Sequence, residues 1–199
     1  MFTGIVSHCG VIEAINNNNS ALRVLVKTQF STLEVGESIA VDGACLTVAE
    51  PAESAFYCDI SPETRRKTVA NHYNIGTRVN IERSLQLSDR IGGHFVTGHV
   101  DDTATIEAIE KTDDFWTFSF VPNDKNGLKY VVSKGSIAIN GVSLTINAVD
   151  SQSFSVMLIP HTLEITNLDQ LAVNDKVNIE YDMLAKIVAK QVEVVNING

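Results

Sequence analysis

Two side chains capable of chemistry stand at the same place in two near-identical stretches. Cys45 lies in SIAVDGACLTV, residues 38–48, and Ser143 lies in SIAINGVSLTI, residues 136–146. A thiol can serve as nucleophile or hydrogen-bonding group, although a free cysteine is most often a buried packing residue. A serine hydroxyl needs an adjacent base before it attacks anything. The sequence offers Ser143 no such base, so a hydrolase-type serine is not expected. Binding, or handing on a proton, suits it better. Histidine titrates nearest neutrality, which makes His94 and His99 candidate proton carriers. A metal pair would want a third ligand at suitable spacing, and none follows. His94 also follows Gly92 and Gly93, so ordering a hinge is an equal reading for it.

The elements that position these residues are themselves duplicated. FTGIV at 2–6 matches VTGHV at 96–100, and VIEAI at 11–15 matches TIEAI at 105–109. VNIE recurs at 79–82 and 177–180, and SPET at 61–64 faces IPHT at 159–162. Blocks in one order at nearly one lag mark an internal duplication. Each copy reads as β. ALRVLVK and RVNIE alternate with period two, the mark of half-buried strands. MFTGIV reads as a strand beginning almost at Met1. Turn signals recur at Asn16 to Asn19, at Asp42-Gly43 and at Asn140-Gly141, where positive φ angles suit tight hairpins. Short strands at that spacing predict small closed barrels. Short helices are expected at PETRRKTVAN and PHTLEITNL, with proline in the first turn. Gly92-Gly93 is a hinge or a point of close approach. After Asp182 the period changes to helical. Leu184, Ile187, Val188, Gln191 and Val195 share one face, which either drives oligomerisation or packs back on its own barrel.

Composition excludes several classes. The chain has 199 residues, 44% hydrophobic and 20% charged, with a formal charge of −9. An acidic surface argues against nucleic acid and anionic membranes. No apolar run is long enough to span a bilayer, and the N-terminus does not read as a signal peptide. Three widely spaced cysteines, Cys9, Cys45 and Cys58, make neither a disulfide scaffold nor a zinc ribbon, and free thiols fit the cytoplasm. Between the copies, small frame residues persist while polar ones diverge. Ile5 faces His99, Gly36 faces Lys134, Asp42 faces Asn140, Glu63 faces His161 and Ser84 faces Asp182. That is the pattern of two sites with one shape and unequal roles.

MFTGIV, DGACLTV, GGHFVTGHVD and NGVSLTI, in this order and spacing, resemble the riboflavin synthase α-chain family of lumazine-binding domains. The resemblance covers the whole chain. It implies an all-β fold of two tandem six-stranded antiparallel Greek-key barrels plus a C-terminal α-helix. The units would be 1–93, 94–183 and the helix 184–199. It implies a homotrimer with active sites between subunits, and association with lumazine synthase is a further possible partnership. The implied reaction is dismutation of two 6,7-dimethyl-8-ribityllumazine molecules to riboflavin and 5-amino-6-ribitylaminouracil, with no cofactor or metal. Carried onto this sequence, the first barrel's substrate would meet Gly4, Ile5, Val6, Ala44, Leu46 and the run Cys58, Asp59, Ile60, Ser61, Pro62, Glu63. The second barrel's substrate would meet Gly98, Val100, Lys134, Leu144, Thr145 and the run Met157, Leu158, Ile159, Pro160, His161, Thr162. Phe2 and Asp182 match further binding positions. Cys45, His99, Ser143, Ser38 and His94 match positions at or near the reacting pair.

Two departures stand out. Ala44 occupies a place where many members carry a second cysteine, which removes any paired-thiol role. Asp42 and Asn140 exchange the acid and amide that many members carry, which reads as tolerated variation. The rival readings are a non-catalytic, lumazine-binding fluorescent antenna protein and a flavin-binding oxidoreductase barrel. The first is disfavoured because both copies keep SIA…G…LT. The second is disfavoured because no nucleotide-binding partner domain follows.

Overall fold

The computed structural model describes residues 1–18 and 21–197. The first copy contributes β1 (His8–Asn18), β2 (Ala21–Lys27), β3 (Ser38–Val41), β4 (Ala44–Thr47), β5 (Glu50–Ala52), β6 (Ala55–Ile60), α1 (Pro62–Lys67) and β7 (Arg78–Arg83). The second contributes β8 (Asp102–Thr112), β9 (Phe115–Pro122), β10 (Ser136–Ile139), β11 (Val142–Val149), β12 (Phe154–Leu158), α2 (Pro160–Ile165) and β13 (Lys176–Tyr181), followed by α3 (Met183–Ile197). All strand pairs are antiparallel. The last two residues of the expected helix, and Asn19 of the expected Asn-rich turn, lie outside the described residues.

The second copy is a closed six-stranded barrel ordered β10-β11-β12-β9-β8-β13. β9 lies beside β12 rather than its successor β10, which is the Greek-key return. The first copy has the order β4-β3-β7-β1-β2-β6-β5. Its two end strands, β4 and β5, are consecutive pieces of one run, so the sheet closes where that run breaks. Pro51 in β5 has no N–H for the ladder, whereas the matching strand β11 runs unbroken.

Alternation fills each barrel. Leu22, Val24 and Val26 point inward from β2, and Phe118, Phe120 and Phe154 stack in the second barrel with centroids 5.4–6.0 Å apart. Each such buried side chain stabilises the fold by about 1.5–3 kcal/mol. The helices appear where proline predicted them. Ser61 caps α1 by accepting from the Thr64 N–H, 3.0 Å away.

The barrels meet about a pseudo-twofold axis. The Asp42-Gly43 and Asn140-Gly141 turns abut so closely that a Cβ on Gly43 would sit 2.6 Å from the Gly141 nitrogen. Around them runs a buried polar network. Asn80 donates its amide to the Asn140 carbonyl at 2.9 Å, and Asn178 donates to the Asp42 carbonyl at 2.8 Å. Asp42 accepts from the Asn80 N–H, the Asn167 amide and the Tyr73 hydroxyl at 2.8–3.0 Å. Burial pushes its carboxyl up to about 7, against those three hydrogen bonds. The Asp/Asn exchange noted in sequence therefore puts one acid and one amide at the axis.

The N-terminus departs from expectation. Strand geometry begins at His8, and Phe2 makes only an isolated bridge to Val96. The cause is the turn at Thr3-Gly4, where Gly4 has φ +75°. The segment instead crosses to the second barrel, where Val6 enters that barrel's core. Phe2 fills a small third core between the barrels with Ala40, Val96 and Ala138.

α3 leaves its apolar face open. Leu184, Ile187, Val188, Val192 and Val195 are each at least half exposed, so this stripe does not pack on its own barrel. The helix is tethered by ion pairs instead, Lys186 to Asp101 and Lys129 to Glu193. No helix among the described residues is long and apolar enough to cross a membrane.

Candidate functional site

Each groove is built from one barrel's hairpin strand and the other copy's leading segment. The Cys45 N–H donates to the Gly98 carbonyl at 2.8 Å, and the Ser143 N–H donates to the Gly4 carbonyl at the same distance. A Cβ on Gly98 would lie 2.5 Å from the Cys45 Cβ, and one on Gly4 would lie 2.6 Å from the Ser143 Cβ. Both glycines also need positive φ, +80° and +75°. The sequence grouping is thus corrected. Gly4, Ile5 and Val6 belong with Ser143 on the second barrel, and Gly98, His99 and Val100 belong with Cys45 on the first.

Two buried carboxylates hold the crossing segments. Glu82, at the end of β7, accepts from the Thr3 N–H, the Thr3 hydroxyl and the Gly4 N–H at 2.7–3.0 Å. Glu180, in β13, accepts from the Thr97 N–H and hydroxyl and the Gly98 N–H at 2.6–2.9 Å. Burial raises both carboxyls above the usual range, opposed by those donors. Each clamp ties a leading segment to its own barrel's last strand while that segment's glycine carbonyl docks on the other barrel.

The first groove is a cavity of about 270 Å³ lined by Ala44, Cys45, Glu63, Thr64, Lys67, Thr68, Gly98, His99 and Val100. Cys45 is half-buried and His99 is exposed at the rim. In the second groove His94 Nδ1 lies 2.7 Å from Ser143 Oγ. This is the base the sequence failed to show beside Ser143, and it corrects that expectation. Burial lowers the His94 pKa, and the charge of Asp182 partly opposes the shift. His94 Nε2 is buried with no hydrogen-bond partner among the described residues. The Gly92-Gly93 link acts here by close approach, since a Cβ on Gly93 would strike the Thr3 carbonyl oxygen and Ser143. Ile5, beside Gly4 in this groove, is half exposed and apolar at the place where the first groove has His99, and Met157 and Ile159 are exposed apolar residues of the second copy. His94 and His99 therefore serve different grooves.

The other candidates divide by burial. Cys58, Ile60, Leu46, Leu144 and Leu158 point into the barrel cores, and burial raises the Cys58 thiol to about 12. Only their backbones can face a ligand. Asp59 points outward, 3.8 Å from Arg23. Ser61, Pro62 and Glu63 open α1, and Pro160, His161 and Thr162 open α2, on the surface of each barrel. Thr145 is exposed two residues beyond Ser143, and Ser38 pairs with Thr47 on the outward face of β3 that also carries Ala40. Asp182 caps α3 through the Leu184 N–H at 2.9 Å. Lys134 is exposed in a turn with φ +67° and lines neither groove. A larger cavity of about 460 Å³ lies at the barrel seam, between Asp42 and Asn174, and contains none of these residues.

The lumazine binding domain model matches residues 3–84 and again residues 97–182. The chain belongs to the lumazine-binding domain family. Among its relatives, riboflavin synthase of Bacillus amyloliquefaciens is 42% identical over 190 residues, covering 94% of this chain and 87% of that protein. Riboflavin synthase of Photobacterium leiognathi is 38% identical, with 98% and 90% covered. That of Schizosaccharomyces pombe is 39% identical, with 97% and 94% covered. Among solved structures, LumP complexed with riboflavin superposes with a TM-score of 0.83 at 27% identity, covering 91% of this chain and 99% of that one. LumP complexed with 6,7-dimethyl-8-(1'-D-ribityl) lumazine gives 0.81 at 26%, with the same coverage.

Within this family fold, sequence reasoning passed over Glu82, Glu180, Thr3 and Thr97. The signal was present: VNIE closes an apolar strand with a carboxylate in both copies, and TG recurs in both leading segments.

Proposed function

We propose that this chain is a riboflavin synthase, converting two 6,7-dimethyl-8-ribityllumazine molecules into riboflavin and 5-amino-6-ribitylaminouracil. The observation that carries the reading is a pair of grooves with one architecture and unlike side chains, Cys45 and His99 in one, Ser143 and His94 in the other. A dismutation needs two identical substrates in opposite roles, and this chain holds two matched sites with different chemistry. Identity points the same way, at 38–42% to riboflavin synthases against 26–27% to LumP.

The chemistry asks little of the protein. The lumazine C7 methyl is acidic because its carbanion delocalises into the pteridine. Holding two rings in register removes about 7–11 kcal/mol of barrier. Ser143, hydrogen-bonded to His94, moves a proton at the methyl or the ring. The lowered His94 pKa keeps the imidazole neutral near pH 7 and able to accept. The Cys45 thiol stands beside the other ring as nucleophile or hydrogen-bonding group. His99, on the open rim, is the second proton carrier. Ser38 and Asp182 act near the reacting pair, and Lys134, which lines neither groove of its own chain, reaches a neighbour's substrate.

The same reading divides the chain into 1–93, 94–183 and 184–199, with the leading segments exchanged between the two barrels. It places the protein in the cytoplasm as a homotrimer, with the α3 stripe of Leu184, Ile187, Val188 and Val195 at the shared axis. One subunit's first groove then faces its neighbour's second groove, and docking with lumazine synthase is an added partnership. The test is to incubate the purified protein with the lumazine and follow riboflavin absorbance. Lumazine that stays bound, fluorescent and unchanged would favour the antenna reading and end this one.

A further inference from the structure

A second cleft lies beyond the first groove, where the barrels meet at one edge. It is lined by Arg65, Arg66, Thr68, Val69, Asn71, His72, Thr103 and Lys176 and holds about 120 Å³. That is several times the ~30 Å³ share of one water. Two arginines and a histidine come from the first copy, and Lys176 and Thr103 come from β13 and β8 of the second. No carboxylate among the described residues lines it, in a chain of net charge −9. None of the ion pairs among the described residues uses Arg65, Arg66 or Lys176.

Structure alone does not call for this cluster. Cations near the end of a helix are favoured by its dipole, which accounts in part for Arg65 and Arg66. It does not account for Lys176 and His72, which come from other elements. The matching helix of the second copy, PHTLEI, has the same shape with no Lys or Arg and with Glu164 instead. One arginine is already oriented: the Arg65 Nε donates to the Asn71 Oδ1 at 2.9 Å, and the Asn71 amide returns to the Arg65 carbonyl at 2.8 Å. An aimed guanidinium beside unpaired cations suits a compact multivalent anion.

We propose that the cleft between Arg65, Arg66, His72 and Lys176 binds a phosphate group, bridging the two barrels beside the first lumazine groove, with which it shares only Thr68. The Arg65 and Arg66 guanidinium groups, the Lys176 ammonium and the Thr103 hydroxyl supply donors from both sides of the seam, while the Thr68 hydroxyl already donates to the Thr64 carbonyl at 2.7 Å. Oxyanion binding here draws the barrels together at an edge where they otherwise repel.

The test is isothermal titration of the intact protein with inorganic phosphate in a phosphate- and sulfate-free buffer. The wild type should bind one phosphate per chain, saturably. Arg66→Ala/Lys176→Ala should weaken binding by roughly tenfold or more. A control that removes the same charge elsewhere, Lys111→Ala/Lys125→Ala, should leave it unchanged. Circular dichroism and Tm verify that both variants fold, and riboflavin formation should persist in both, since none of these residues lines a groove. Absence of saturable binding, or equal weakening in both double variants, overturns the proposal. Competition by glycerol 3-phosphate but not glycerol identifies an organic phosphate as an accepted source. Failure of both to compete restricts the site to free phosphate.

Discussion

His94 Nδ1 lies 2.7 Å from Ser143 Oγ, although 49 residues separate them in sequence. The contact turns a serine with no apparent base into one half of a hydrogen-bonded pair. If the pair acts as a unit, its removal is non-additive. Ser143→Ala and His94→Gln should each lower kcat for riboflavin formation by about 10²-fold, the scale of one general acid–base group. The double variant should be little worse than either. Losses that multiply, measured in the same steady-state assay, would show that the two side chains work separately.

Gly98 has no room for a side chain. Gly98→Ala would set a Cβ 2.5 Å from the Cys45 Cβ at φ +80°. Strain of this kind costs on the order of 1–3 kcal/mol, and the Cys45 groove would be forced open. We expect a lower Tm and weakened lumazine binding, read by ligand fluorescence titration. Gly36→Ala also has positive φ but nothing within 4 Å of the added carbon, so it should leave lumazine affinity intact. Equal affinity losses in the two variants would mean that backbone strain, not the Cys45 contact, is what matters.

The Glu180 clamp should matter more than its distance from the grooves implies. Glu180→Gln keeps an acceptor but replaces one carboxylate oxygen with a donor facing N–H groups. Leaving buried donors without acceptors costs about 1–3 kcal/mol. The expected outcome is faster amide exchange at Thr97 and Gly98 and a raised KM. Glu82→Gln should do the same at Thr3 and Gly4. Unaltered exchange at these amides would remove both carboxylates from the account of the grooves.

Asp42 makes stability depend on pH in an unusual direction. Its carboxyl rises from the ordinary 3.8 to about 7 through burial. A raised folded pKa means that the folded state holds the proton more tightly than the unfolded chain. The stabilisation from this group is complete below pH ~4 and is lost as pH climbs through about 7. Asp42→Asn should therefore flatten the pH 4–7 slope of stability in urea titrations and gain relative to wild type at pH 8. An unchanged slope would move the titration to other groups.

Much of the fold is legible in the sequence because the repeat is. The lag between SIAVDG and SIAING carries strands, turns and short helices together, and the structure returns them apart from the strand expected at Met1. The hairpins follow from Asp42-Gly43 and Asn140-Gly141, whose φ values of +44° to +78° are what those residue types tolerate. What stays hidden is the partner of each loop. Periodicity shows that Gly4 begins a segment, but not that it lies on Ser143, 139 positions later. The Glu82 and Glu180 clamps are hidden for the same reason, since a carboxylate ending a strand looks like a solvated charge until its donors fold over it. The broken strand of the first barrel was foreshadowed only by Pro51.

The crossing of residues 2–6 and 96–100 has a consequence for how such a protein comes apart. Neither half of this chain owns a whole binding surface. A fragment ending before residue 94 keeps Cys45 but loses the glycine carbonyl that docks on its amide, and its own leading arm has no Ser143 to reach. Such a fragment regains a complete groove only by lending its arm to a twin. The full-length molecule is thus a tethered couple, and its linker sets the local concentration of two arms that would otherwise have to meet by diffusion.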